Sequence, residues 1–271
     1  MDRQAETVAA LIHPAGWIAW ATCAALVTMS TTNPFYLLPV VAGSWAIHAA
    51  HRRSGPFARS FRVFLIIGLV TIMTRTLLVF LVPSSVSAAT VATAFLEGLR
   101  LAVLLIVFGA FNSVADPFGV LRLAPRRFHE PALAAALALS IAPRTIAAVA
   151  QVRDAQRLRG IRIKTWRSLP ALAVPVLETG MEEAVTLAES MDARGHGGGP
   201  RSRYRPDRWT HPALAIVASA LVAAFMFLYQ AVAAAASLTV QTSPVQWPEA
   251  SPVLVGAVLL LAVPAFVRPR P

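Results

Sequence analysis

Cysteine, lysine and carboxylate are all scarce in this chain of 271 residues. Cys23 is its one cysteine and lies inside an apolar run, so an intrachain disulfide and a cysteine-based metal cluster are both excluded. Lys164 is its one lysine, and no Gly-Lys-Ser/Thr stands behind a glycine-rich stretch, so the chain carries no recognisable Walker motif for ATP hydrolysis. Only 13 acidic residues face 24 basic ones, and charged residues make up 14% of the chain. Asp154 and Asp192 stand isolated, whereas enzymes that hold a metal on a diphosphate need several carboxylates together. The six histidines are scattered. His13, His48, His51 and His211 fall at the ends of apolar runs, His129 and His196 in the polar middle, and none forms a metal-ligand set with a nearby carboxylate.

What is abundant is apolar sequence. Hydrophobic residues make up 56% of the chain and mean hydropathy is +0.62, too apolar for an ordinary soluble domain. The expected fold is an all-α integral membrane protein with about six transmembrane helices and a pair of long cytoplasmic helices. The spans fall near 15–30, 35–50, 63–82, 95–115, 212–238 and 252–267. Thr31-Thr32-Asn33-Pro34 makes a tight turn between the first two, because proline removes a helical donor and Asn-Pro favours a turn. The net charge of +11 clusters between the spans, which is how arginine orients a membrane protein and is no sign of nucleic acid. His51 to Arg62 holds four arginines and no acid, whereas Pro83 to Ala94 holds no charge. Six spans then place every arginine-rich loop and both termini in the cytoplasm. The polar start, Met1 to Ile12, has no basic region leading to a small-residue cleavage site, so no removable signal peptide is expected. Arg75 inside the third span needs a partner or an escape to the interface. Glu97 and Arg100, three residues apart, are expected to pair along one helix.

Between Asp116 and Arg208 lie fifteen basic and nine acidic residues. The stretch 132–152 is alanine-rich and nearly long enough to span, yet crossing there would put Arg153 to Arg208 opposite Arg122, Arg126 and Arg127. The charge rule therefore predicts a helix lying along the membrane surface or against its neighbours, bent near Pro143. A second helix over 171–194, with Pro175 near its start, aligns Leu177, Met181, Val185, Ala188 and Met191 in one stripe away from most of its glutamates. The chain divides accordingly into 1–115, 116–210 and 211–271.

Both helices of the middle part end in Arg-Gly, at Arg159-Gly160 and Arg194-Gly195, thirty-five residues apart. Glycine adopts the left-handed conformation that closes a helix, and an arginine in the last turn sits favourably beside the free carbonyls while its fork projects beyond them. Each helix is a rod tipped with a cation, and two such knobs suit two similar acidic grooves on a pseudo-symmetric pair of subunits.

The segments Gln156-Arg157-Leu158-Arg159-Gly160 and Met191-Asp192-Ala193-Arg194-Gly195-His196-Gly197 resemble the paired Ala-Arg-Gly motifs of the transmembrane T component of energy-coupling factor transporters, in particular the cobalt-transport T proteins. Leu158 replaces the alanine of the first motif. His13-Pro14, Thr32-Asn33-Pro34, Gly98 to Ala102 and Ala115-Asp116-Pro117 extend the resemblance more weakly over nearly the whole chain. The resemblance implies a plasma-membrane coupling subunit that is not itself an enzyme and carries no cofactor. Its partners would be two cytoplasmic ATP-binding subunits, which Arg157, Arg159, Gly160, Ala193, Arg194 and Gly195 would engage, and a substrate-binding membrane subunit for a vitamin or transition-metal ion. Pro143 and Pro175 would set the bends of the coupling helices. The competing readings are a membrane-embedded lipid-linked transferase using Asp192 and Arg194, and a self-contained channel or carrier.

Overall fold

The computed structural model describes residues 13–51, 56–81, 86–160, 170–196, 209–233, 238, 240 and 250–267. Met1 to Ile12, part of the arginine loop after His51, Lys164, the glycines after His196, Arg201 to Arg208, Glu249, Arg268 and Arg270 lie outside those residues. The described residues form an all-α integral membrane protein. Its helices are α1 (Pro14–Ser30), α2 (Pro34–His51), α3 (Pro56–Leu81), α4 (Ala88–Val114), α5 (Pro117–Arg122), α6 (His129–Leu158), α7 (Pro170–Ala193), α8 (His211–Val232), α9 (Pro252–Leu260) and α10 (Val263–Phe266), with a 3-10 turn at Arg126–Phe128. Among them α3, α4, α6 and α8 are long and apolar enough to cross a bilayer. Two units divide the chain: residues 1–123 with 207–271, and residues 124–206.

The first unit is a helix bundle. Hydrocarbon is as apolar as leucine, so burying an apolar stripe gains little there, and close packing and hydrogen bonds must hold the helices. Small residues supply the closeness. α8 buries Ala213, Ile216, Ala220, Ala223 and Phe227, a 3–4 periodic stripe, against α1, which buries Trp17, Trp20, Ala21, Ala24 and Val27. α3 and α4 form the most extensive helix pair. A Cβ on Gly109 would stand 2.7 Å from the Cβ of Phe64, so these backbones approach as only glycine allows.

Hydrogen bonds bind the parts that are not regular helix. Asn33 caps α2 through Phe35 N–H (3.0 Å), which realises the expected Asn-Pro turn. The Thr31 hydroxyl and the Thr32 N–H both donate to the Leu238 carbonyl (2.6 and 3.1 Å), and the Ser251 N–H donates to the Tyr36 hydroxyl (2.8 Å). The expected sixth span is interrupted at Leu261–Ala262, separating α9 from α10. Ala265 N–H turns to Ala262 instead of Leu261, and the buried Trp20 indole N–H supplies the Leu261 carbonyl at 2.9 Å. Gly43 leaves room for that break, where an added Cβ would meet Ala262 at 3.3 Å.

Two further expectations are corrected. Glu97 pairs with Arg75 of α3 at 2.9 Å, whereas Arg100 reaches the Met29 sulfur. A carboxylate on α4 reaches a guanidinium on the adjoining helix, and this pairing answers the cost of Arg75 in the span. α4 begins at Ala88 within the uncharged loop, because Ser87 and Thr90 form a reciprocal capping box there. Three of the span-end histidines make local contacts: His13 accepts from Ala15 N–H and stacks on Trp209 at 4.3 Å, His48 stacks on Phe61 beside Ser113, and buried His51 donates to the Val267 carbonyl.

Candidate functional site

The second unit contains α6 and α7. α6 is a continuous helix of 30 residues through Pro143, and α7 one of 24 through Pro175. No residue of α7 is buried. Its stripe of Val174, Leu177, Met181 and Val185 is 57–69% exposed, and α6 exposes Ile146 as well. Apolar side chains this open on an amphipathic helix leave a face that nothing in this unit covers.

The prolines act on the backbone. Pro175 has no N–H to give the carbonyl of Ala171, four residues before it. The side chain of Gln156 on α6 fills that place, its Nε2 donating to the Ala171 carbonyl at 3.2 Å. Gln156 is 9% exposed, the one buried polar residue of this unit among those described. A helix-weakening residue in one helix thus creates the acceptor that ties the other to it, one turn before Arg159. The quoted motif contains Gln156, but its sequence gives it no role. A proline just inside a helix, with an amide residue one turn before the end of the preceding helix, is the available signal.

Both helix ends close alike. Gly160 and Gly195 have φ of +79° and +72°. The Gly160 N–H donates to Arg157 at 3.0 Å and the Gly195 N–H to Asp192 at 2.8 Å, and His196 N–H to Met191 at 3.0 Å completes a Schellman closure on α7. An added Cβ would touch nothing within 4 Å at either glycine, so backbone conformation and not space demands glycine there. Arg159 and Arg194 are exposed, and among the described residues neither has an ion-pair partner. Arg157 pairs loosely with Asp154 at 3.6 Å on the open surface, an arrangement of small energetic value. Ala193 is the last residue of α7.

The Gln156–Ala171 bond fixes the spacing of the tips. It lies three residues from Arg159 and at the start of α7, while Arg194 follows twenty-three residues after Ala171. At 1.5 Å per residue the tips are separated by roughly 35 Å along the α7 axis. Two guanidiniums so far apart cannot act on one small substrate. They can enter two separate grooves.

No protein-family model matches the chain. It is similar to the energy-coupling factor transporter transmembrane protein of Exiguobacterium sibiricum, 30% identical over 108 residues, which cover 37% of this chain and 40% of that protein. The protein of the same description from Bacillus subtilis is 30% identical over 111 residues (38% and 42%), and that of Streptococcus equi subsp. equi 29% over 107 (36% and 40%). The similarity thus spans about two fifths of the length of these curated relatives. It supports the T-component resemblance of the sequence.

Proposed function

We infer that this chain is a T component of an energy-coupling factor importer, the membrane subunit that links two cytoplasmic ATPases to a separate substrate-binding membrane subunit. The observation that carries the reading is the pair of glycine-closed helix ends, each with an exposed arginine, roughly 35 Å apart at opposite ends of α7. Arg159 and Arg194 each enter one ATPase, where a desolvated, multiply donating guanidinium is a strong anchor. Gly160 and Gly195 shape the ends, and Arg157 and Ala193 complete the contacts. ATP-driven closure of the ATPase pair moves both tips. α6 and α7, with their curvature set by Pro143 and Pro175, carry the motion to the substrate-binding subunit. That subunit rests on the open stripe of Val174, Leu177, Met181 and Val185. Its cargo is a vitamin or a transition-metal ion, and ATP hydrolysis belongs to the partners. Residues 1–115 and 211–271 form the membrane part and 116–210 the cytoplasmic coupling part, with both termini in the cytoplasm.

The test is cargo uptake by cells that carry the chain with its native ATPases and substrate-binding subunit. Arg159→Ala with Arg194→Ala is expected to abolish uptake while the chain still reaches the membrane at its normal level. Wild-type uptake by that double variant would refute the reading.

A further inference from the structure

The two tips share a backbone and differ in nearly everything else. Both close on a glycine of similar φ with the same turn bond. Immediately before the arginine stands Leu158 in the first tip and Ala193 in the second, and one residue earlier Arg157 and Asp192. The last two turns of α6 and its cap hold Arg153, Arg157 and Arg159 against Asp154, whereas those of α7 hold Arg194 against Glu189 and Asp192. Leu158 is 90% exposed, more open than any other large apolar side chain among the described residues. A leucine held out from its own chain between two guanidiniums gains nothing where it stands, and its burial requires a partner.

We propose that the two tips fit two chemically different ATPase grooves, and that Leu158 selects the groove for the first tip. The proposal rests on the reading that both tips dock ATPases. The first groove is acidic, to suit three arginines, and has an apolar recess that takes the leucine. The second is closed tightly around Ala193 and offers a donor to Asp192, which a wholly acidic groove would repel. One groove cannot satisfy both tips: carboxylates that welcome Arg157 oppose Asp192, and a recess sized for leucine leaves a void beside alanine. A leucine flanked by arginines also suits a membrane surface. The net negative second tip does not, and the shared closure of the two ends favours partners of one kind.

The test titrates fluorescently labelled ATPases, identified by co-purification with the full chain, against that chain in nanodiscs, one tip at a time. With Arg194→Ala silencing the second tip, Leu158→Ala is expected to weaken docking about tenfold or more, and Leu158→Met to stay within a few fold of wild type. With Arg159→Ala silencing the first tip, Ala193→Leu is expected to weaken docking at least tenfold through overpacking. Undiminished docking by Leu158→Ala, or undiminished docking by Ala193→Leu, overturns the proposal. So does a Leu158→Ala effect confined to binding on phosphatidylglycerol vesicles, which makes the leucine a membrane anchor. Wild-type docking by Arg159→Ala with Arg194→Ala is a separate result, and it overturns the docking reading itself. Unchanged circular dichroism and elution volume establish that each variant is folded.

Discussion

Replacing Gln156 by leucine keeps the bulk of the side chain and removes its amide. The Ala171 carbonyl then has no donor, because Pro175 cannot supply one. The net worth of a neutral hydrogen bond is about 0.5–1.5 kcal/mol, and leaving a buried carbonyl unsatisfied costs about 1–3 kcal/mol. The bond is only partly buried, so the expected loss at the α6–α7 contact is near 1 kcal/mol. Pro175→Ala restores an N–H four residues from that carbonyl. In a wild-type background it makes Gln156 compete with the helix for one acceptor, but in the Gln156→Leu background it repairs the defect. The two substitutions should therefore be non-additive, with a coupling of about 0.5–2 kcal/mol in favour of the double variant. Hydrogen exchange of the full chain in nanodiscs reads this through the protection of the amides at 153–159 and 172–178. Strict additivity would show that the proline and the glutamine are unconnected.

Gly160→Ala and Gly195→Ala should each cost about 1–2 kcal/mol at the helix end, since an alanine must enter the left-handed region, and asparagine should cost less; fraying of 155–160 and 190–196 in hydrogen exchange measures it. Gly109→Ala should lower stability by about 1–3 kcal/mol through overpacking against Phe64, whereas Gly180→Ala, in open space on α7, should raise helix stability by about 0.5–1 kcal/mol. Thermal unfolding in detergent for the first, and helix protection for the second, separate these signs. Arg75→Leu or Glu97→Leu alone should destabilise the α3–α4 pair more than the two together, because each single change strands a charge on an apolar face; a double-mutant cycle in detergent-solubilised protein checks it.

Composition alone made the helical membrane fold legible, because spans must be long and apolar and loops must carry the arginine. The Arg-Gly closures were legible as well, since glycine after a helical run is a local signal. Long-range pairing was not. Glu97 and Arg100 stand at ideal spacing on one helix, and only the packing of α3 on α4 gives Glu97 to Arg75. The interruption at Leu261–Ala262 was hidden inside an unbroken apolar run, although Pro264 marks a lost donor nearby; the buried Trp20 that compensates it lies more than two hundred residues earlier. Gln156 read as one polar residue among many. Its role depends on a proline in the next helix.

The most direct measurement is the number of ATPase subunits carried per chain, read by quantitative mass spectrometry of complexes purified in mild detergent. The account expects two on the wild type, one on Arg159→Ala, one on Arg194→Ala and none on the double variant. Two ATPases retained on the double variant would contradict it.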